Sequence, residues 1–265
     1  MKRTQLALLG EIAPELIDQF PSEQRSAARS QLSVPIERID RGSDDWRPAS
    51  GPNLLGTLIA SGFLVRRTTV LGKTGALVFG PGDVLPREAP DVASFPWRAE
   101  TTWHALTQVE VARFDRVATP AFKSAALSAA VVGLHAPKPS DACALQSIRQ
   151  IRGTHTRTLA FFWYLAERWG RRRAIGGVEI PIPLYRDELG QLLSMGRQAA
   201  SGAVSELQRR DLLSANPRSW VLSGDPSDVE MLIAESLRDR STAGFLCSGL
   251  LAPALSFLPG VLDLV

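Results

Sequence analysis

Four residues in one short stretch carry the most specific chemistry of the chain. If residues 197–210 form a helix, Ala200, Val204 and Leu207 share its packing face and Arg197, Gln198, Ser201 and Ser205 point outward. The outward face then offers hydrogen-bonding groups and no large apolar side chain, as a helix that meets a DNA groove must. Charge points the same way. Twelve arginines face six acids between Gln146 and Leu222, although the whole chain carries only +3, so the basic part is local and the remainder slightly acidic. A chain built this way meets phosphate with one end. Catalysis has nothing comparable to rest on. There is no nucleophile elbow, metal-ligand cluster or acid–base pair, and Gly72-Lys73-Thr74 lacks the upstream glycine of a phosphate-binding loop. The chain is therefore read as a binding protein, not an enzyme, with no cofactor and no metal.

The elements that position these residues follow from local spacing. Tyr185–Leu193 can form one amphipathic helix, Ser194-Met195-Gly196 a tight turn, and Arg197–Arg210 a second helix packed through Leu189, Leu192 and Leu193. Two short runs, Asp211–Ala215 and Trp220–Leu222, flank the turn Asn216-Pro217-Arg218-Ser219 and predict a hairpin wing. Before them, Val178–Leu184 reads as a short strand that Pro181 and Pro183 make an edge strand or an irregular one. Thr156–Trp169 is a dense apolar helix stopped at Gly170.

Further upstream the texture changes. From Val34 to about Val117, short β-like runs (Leu54–Ile59, Gly62–Val70, Ala76–Phe79, Val109–Phe114) are cut by glycine turns and predict a small antiparallel barrel or jelly roll. Leu6–Phe20 and Glu23–Leu32 read as helices, as do Ala121–His135 and Asp141–Gly153, with Pro137 and Pro139 breaking the connection between the last two. The expected fold class is α+β: an N-terminal helical segment (1–33), a β-barrel sensor-like domain (34–120), linking or dimerisation helices (121–155), a winged helix-turn-helix (156–224) and an apolar tail (225–265).

In this order the pieces resemble the cyclic-AMP receptor/FNR family of bacterial transcription regulators, over roughly residues 50–224. The matching stretches are Leu58–Arg66, Phe79–Leu85 and Ala105–Val111 in the sensor half. In the DNA-binding half they are Arg157–Ala160, Leu165–Gly170 and the whole run Ile182–Leu222. The resemblance implies a homodimer that places each recognition helix in a major groove of a two-fold symmetric operator on double-stranded DNA. It puts Arg197 on the family's base-reading arginine, a side chain able to donate a bidentate pair to guanine. Gln198 stands where many members have glutamate and Gly202 where they have a second arginine, so the operator should differ from the best-known one. The DNA-binding set is Arg197, Gln198, Ser201, Ser205, Arg186, Arg218 and Ser219, the last two as phosphate contacts from the wing.

The sensor half departs from the family. Its phosphate-holding pairs fall on Pro86-Arg87 and Ala99-Glu100; proline offers no N–H, and Glu100 would oppose a phosphate. Control by cyclic AMP is therefore not expected, and any other effector is left unassigned. Cys143 and Cys247 lie far apart and His104, His135 and His155 do not cluster, against haem or iron–sulfur sensing. The free cysteines and the absence of an N-terminal apolar core favour the cytoplasm. Thr242–Leu262 is uncharged and long enough for a membrane span, but two prolines and three glycines argue for burial against protein instead, so no membrane partner is expected. A degenerate family member serving as a protein-interaction scaffold is the alternative.

Overall fold

The computed structural model describes residues 5–18, 20–85, 98–135 and 139–234. The chain begins with β1 (Gln5–Leu8), which continues into two single-turn helices, α1 (Leu9–Ile12) and α2 (Pro14–Ile17), and then α3 (Ser22–Gln31). The first helix expected over Leu6–Phe20 is thus a strand and two helical turns. β1 lies along β2 (Ser33–Ile39), with Leu6 opposite Pro35 and Leu8 opposite Ser33.

Next come β3 (Leu54–Ser61), β4 (Leu64–Val70), β5 (Lys73–Phe79), β6 (Val84–Leu85), β7 (Ala99–Ala105) and β8 (Val109–Asp115). They form a five-stranded sheet of order β1-β2-β8-β3-β6 and a three-stranded sheet of order β5-β4-β7. The expected barrel is not formed, because the two sheets do not close on each other. They pack face to face as an open sandwich around Ile39, Trp46, Ile59, Leu64, Trp103, Val109 and Val111. Trp103 occupies the middle, edge-on to Trp46 at 5.7 Å and tilted against Phe79 at 5.5 Å. The β4–β5 hairpin turns through Leu71 and Gly72, both with positive φ (49° and 72°), the geometry that matches strand twist. Gly62 is required where the chain enters β4: its φ is +83° and a Cβ would collide with the Gln108 carbonyl oxygen.

Period-two alternation gives β4 two jobs. Leu64 and Arg66 face the sandwich interior, where the Arg66 guanidinium lies 6.0 Å over the Trp103 ring. Val65 and Arg67 face outward, to the C-terminal half of the chain. The far face of the five-stranded sheet is covered by the N-terminal helices and α4 (Ala125–His135), through Leu9, Leu16, Ile17, Phe114, Phe122, Leu127 and Val131.

α4 ends at His135 and α5 (Pro139–Gln150) begins at Pro139, in keeping with a proline break; Pro137 itself lies outside the described residues. α6 (Thr154–Trp169), β9 (Arg171–Arg172), β10 (Val178–Ile180), α7 (Arg186–Leu192), α8 (Arg197–Arg209), β11 (Leu213–Ala215) and β12 (Trp220–Leu222) complete the fold, followed by a helical stretch at 227–234. The strand expected over Val178–Leu184 is cut short to β10, with Pro181 and Pro183 falling after it; of the two alternatives the edge position is not taken, since β10 sits between β12 and β9 in the order β11-β12-β10-β9. The apolar tail, including Thr242–Leu262, lies outside the described residues. Among those described, no helix is long and apolar enough to cross a membrane.

Candidate nucleic-acid interface

α6 is the base on which the C-terminal unit is built. Leu159, Phe161, Phe162 and Leu165 are each 0% exposed, and Phe162 meets Trp220 of β12 at 5.1 Å, fixing the small sheet to the helix. α6 stops at Gly170, where a Cβ would collide with the Ala166 carbonyl oxygen. α7 opens with the Glu188 carboxylate accepting from the Tyr185 N–H at 3.0 Å, which satisfies a first-turn donor.

The turn after α7 is tight. Ser194 takes a positive φ of 54°, and the Met195 N–H donates to the Gly190 carbonyl at 2.8 Å. Gly190 makes this possible, since a Cβ there would stand 2.8 Å from the Met195 carbonyl oxygen. The sequence marked the turn at Ser194-Met195-Gly196 but offered no sign that Gly190, inside a helix, is what lets it fold back. Leu189, Leu192, Leu193, Ala200, Val204 and Leu207 are all buried between the two helices, on the faces their spacing predicted.

α8 presents the expected surface. Arg197, Gln198 and Ser205 are exposed and Ser201 is half-buried, so the four lie together along one side of the helix. Arg197 is 75% exposed, and its Nε stands 3.2 Å from Oδ1 of Asp187, at the start of α7. Sequence reasoning missed the pairing with Asp187, because nothing local connects positions ten apart across a turn. Gly202 is exposed, and a Cβ there would have nothing within 4 Å. Gly202→Ala should therefore raise stability by up to about 1 kcal/mol through helix propensity, read as a higher Tm.

The remaining members of the set are placed differently. Arg218 is exposed in the turn of the wing. Arg186 is half-buried and donates to the Ser201 carbonyl at 3.2 Å, tying α7 to the middle of α8. Ser219 is 7% exposed; its hydroxyl donates to Glu179 at 2.7 Å and accepts from Asn216 at 3.3 Å, so it holds the wing to β10. Between the wing turn and the start of α7 runs a groove of ≈ 250 Å³, lined by Pro183, Tyr185, Arg186, Asn216, Pro217 and Trp220 among others.

At the other end of α8, Glu206 bonds Arg209 and Arg210 at 2.6 and 2.8 Å. Hydrogen bonds from Arg209 and then Arg210 hold the Glu206 carboxyl down at about 2, well below its ordinary 4.5. A depressed carboxylate contributes its stabilisation above its ordinary value and loses it as pH falls toward 2. This cluster therefore keeps its charge between pH 5 and 8.

The described chain thus combines an open β-sandwich, linking helices, two helices joined by a tight turn and a two-stranded hairpin after them. Structural comparison finds that fold. A CRP-family transcriptional regulator from Thermus thermophilus matches with a TM-score of 0.55 at 19% identity, over 75% of this chain and 96% of that one. FixK2 from Bradyrhizobium japonicum gives 0.55 at 16% identity, over 75% and 96%. A cyclic nucleotide-binding domain containing protein from Listeria monocytogenes gives 0.56 at 12% identity, over 80% and 97%. No family model and no curated protein sequence matches the chain. The chain shares the fold of CRP/FNR-family regulators.

Proposed function

We propose that this protein is a sequence-specific transcription regulator that binds double-stranded DNA as a homodimer and acts without cyclic AMP. The observation that carries the reading is the exposed hydrogen-bonding face of α8, with Arg197 at its start, held on a turn whose geometry leaves that face uncovered. Arg197, Gln198 and Ser201 are the reading surface, Ser205 flanks them, and Arg218 is the phosphate contact of the wing. Arg186 serves by holding α8, and Ser219 by holding the wing.

Dimerisation is supported by α4, whose outer side exposes Ala125, Ala126, Ala129, Gly133 and the 55%-exposed Val132, an apolar face with small side chains. Independence from cyclic AMP is supported by the sandwich interior, filled by Trp46, Phe79 and Trp103. It is supported also by Glu100, which stands exposed on β7; Pro86 and Arg87 lie outside the described residues.

The scaffold reading has one observation in its favour. Ile175 is 91% exposed beyond β9, next to the exposed Arg171, Arg172 and Arg173. A salt titration of binding to duplex DNA separates the two. DNA binding through arginines gives affinity that falls linearly in log–log form as salt rises, and Arg218→Ala should reduce that slope by about 1 while weakening all duplexes alike. A scaffold would show at most weak duplex binding, with a slope that Arg218→Ala leaves unchanged.

A further inference from the structure

One guanidinium joins three parts of the chain. Arg149, near the end of α5, donates through Nε to the Leu192 carbonyl at 2.8 Å and through Nη2 to the Ala76 carbonyl at 2.5 Å. Leu192 is the last residue of α7, and Ala76 lies on β5 of the sensor. A linking helix, a sensor strand and the first helix of the reading head are thus held by the two branches of one planar fork. Burial pushes the Arg149 pKa down, but a guanidinium remains charged, and the two carbonyls supply the hydrogen bonds that water would have made.

Two more arginines converge on the same helix end. Arg157 of α6 donates to the Leu193 carbonyl at 3.4 Å. Arg67 of β4 donates to the Gln191 side chain at 2.8 Å and lies 3.7 Å from Glu188. The last carbonyls of a helix lack partners within it and carry the negative end of its dipole, so cations are favoured there. Below them Val65, Ala76 and Val78, on the outer face of the three-stranded sheet, share one core with Leu189, Leu192 and Leu193. A second contact lies nearby: Arg168 pairs with Asp83, and Trp169 packs edge-on to Phe63 at 5.4 Å.

α8 starts five residues after Leu192, across a turn closed by the Met195–Gly190 hydrogen bond. Whatever fixes Leu192 fixes the start of the reading helix. We infer that Arg149 is a positioning residue that locks the reading head onto the sensor sheet, and thereby sets which half-site spacing a dimer accepts. This rests on the homodimeric DNA-binding reading. Arg149 touches no DNA in this scheme, so its loss should alter spacing tolerance and leave base preference within a half-site unchanged.

The test uses the full chain and the variants Arg149→Ala and Arg149→Lys; lysine keeps the charge but lacks the planar fork that serves two carbonyls together. Binding is measured to the selected operator and to operators with spacers two base pairs longer and shorter. Both variants should lose discrimination against the altered spacers by about 5-fold or more, the lower end of couplings between sites. Uniform weakening on every spacer with discrimination intact would show a merely structural residue and overturn the inference.

A DNA-free measurement keeps it decidable if no operator is found. Spin labels at Gly75→Cys on β5 and Gly196→Cys before α8, two positions where a Cβ meets nothing within 4 Å, report the sensor-to-reader distance. Cys143 and Cys247 are replaced by serine, and labelled chains are diluted with unlabelled ones. A single narrow distance that broadens in both variants is expected; an unchanged distribution overturns the clamp. Failure of the wild-type protein to select a two-fold site, with the distances broadening as expected, would instead remove the DNA-binding reading and leave the clamp standing.

Discussion

Replacing Arg197 with alanine should remove about 1–3 kcal/mol of base discrimination per half-site, roughly 5- to 150-fold, and abolish guanine preference at one position in each. The effect is large because Arg197 is the exposed arginine in the first turn of α8, where a reading helix approaches base edges. Its Nε stands 3.2 Å from Asp187, an exposed pair that leaves the guanidinium open to solvent. A binding assay on operators permuted at each position checks this. Unchanged base preferences in Arg197→Ala would move the reading role to Gln198 or Ser201, and equal weakening on all sequences would reduce Arg197 to a phosphate contact.

The second large effect is on stability. Phe162→Ala should cost about 3–5 kcal/mol, because the ring is fully buried and its removal leaves a cavity between α6 and β12. In a chain of this size that corresponds to a fall in Tm of roughly 6–20 °C. DNA binding should be lost with it at temperatures where the wild-type protein is folded, since α7 and α8 share the core that Phe162 occupies. A thermal melt decides: a fall of less than about 2 °C would mean that α6 is not the base of the C-terminal unit.

Much of that unit was legible in the sequence because its information is local. α7, the turn and α8 are consecutive, and the wing follows at once, so period, turn residues and hairpin signal all lie within one short run. The face of α8 could be drawn from spacing alone. The pairings that refine it could not: Asp187 with Arg197, Glu179 with Ser219 and Ala76 with Arg149 join positions on different elements, and nothing in the order of residues announces them.

The N-terminal half was harder for a related reason. Leu6-Ala7-Leu8 reads as the start of a helix, and becomes β1 because β2, beginning at Ser33, offers an edge to pair with. β7 was missed outright; its register against β4, Trp103 opposite Arg66, is set by a partner more than thirty residues away. Strand spacing signalled an antiparallel all-β unit but could not decide closure, because closure depends on the hydrogen bonds of the last strands, which spacing does not encode. The prolines at 181 and 183 suggested an edge or irregular strand, and instead ended β10 before they could disturb its ladder.

Selection from a random duplex library with the purified full-length protein tests most directly whether α8 reads DNA as one of a two-fold pair. The expected product is an inverted repeat whose half-sites lie about one helical turn, roughly 10–10.5 base pairs, apart. Recovery of no enriched sequence, or of a motif without two-fold symmetry, would contradict it.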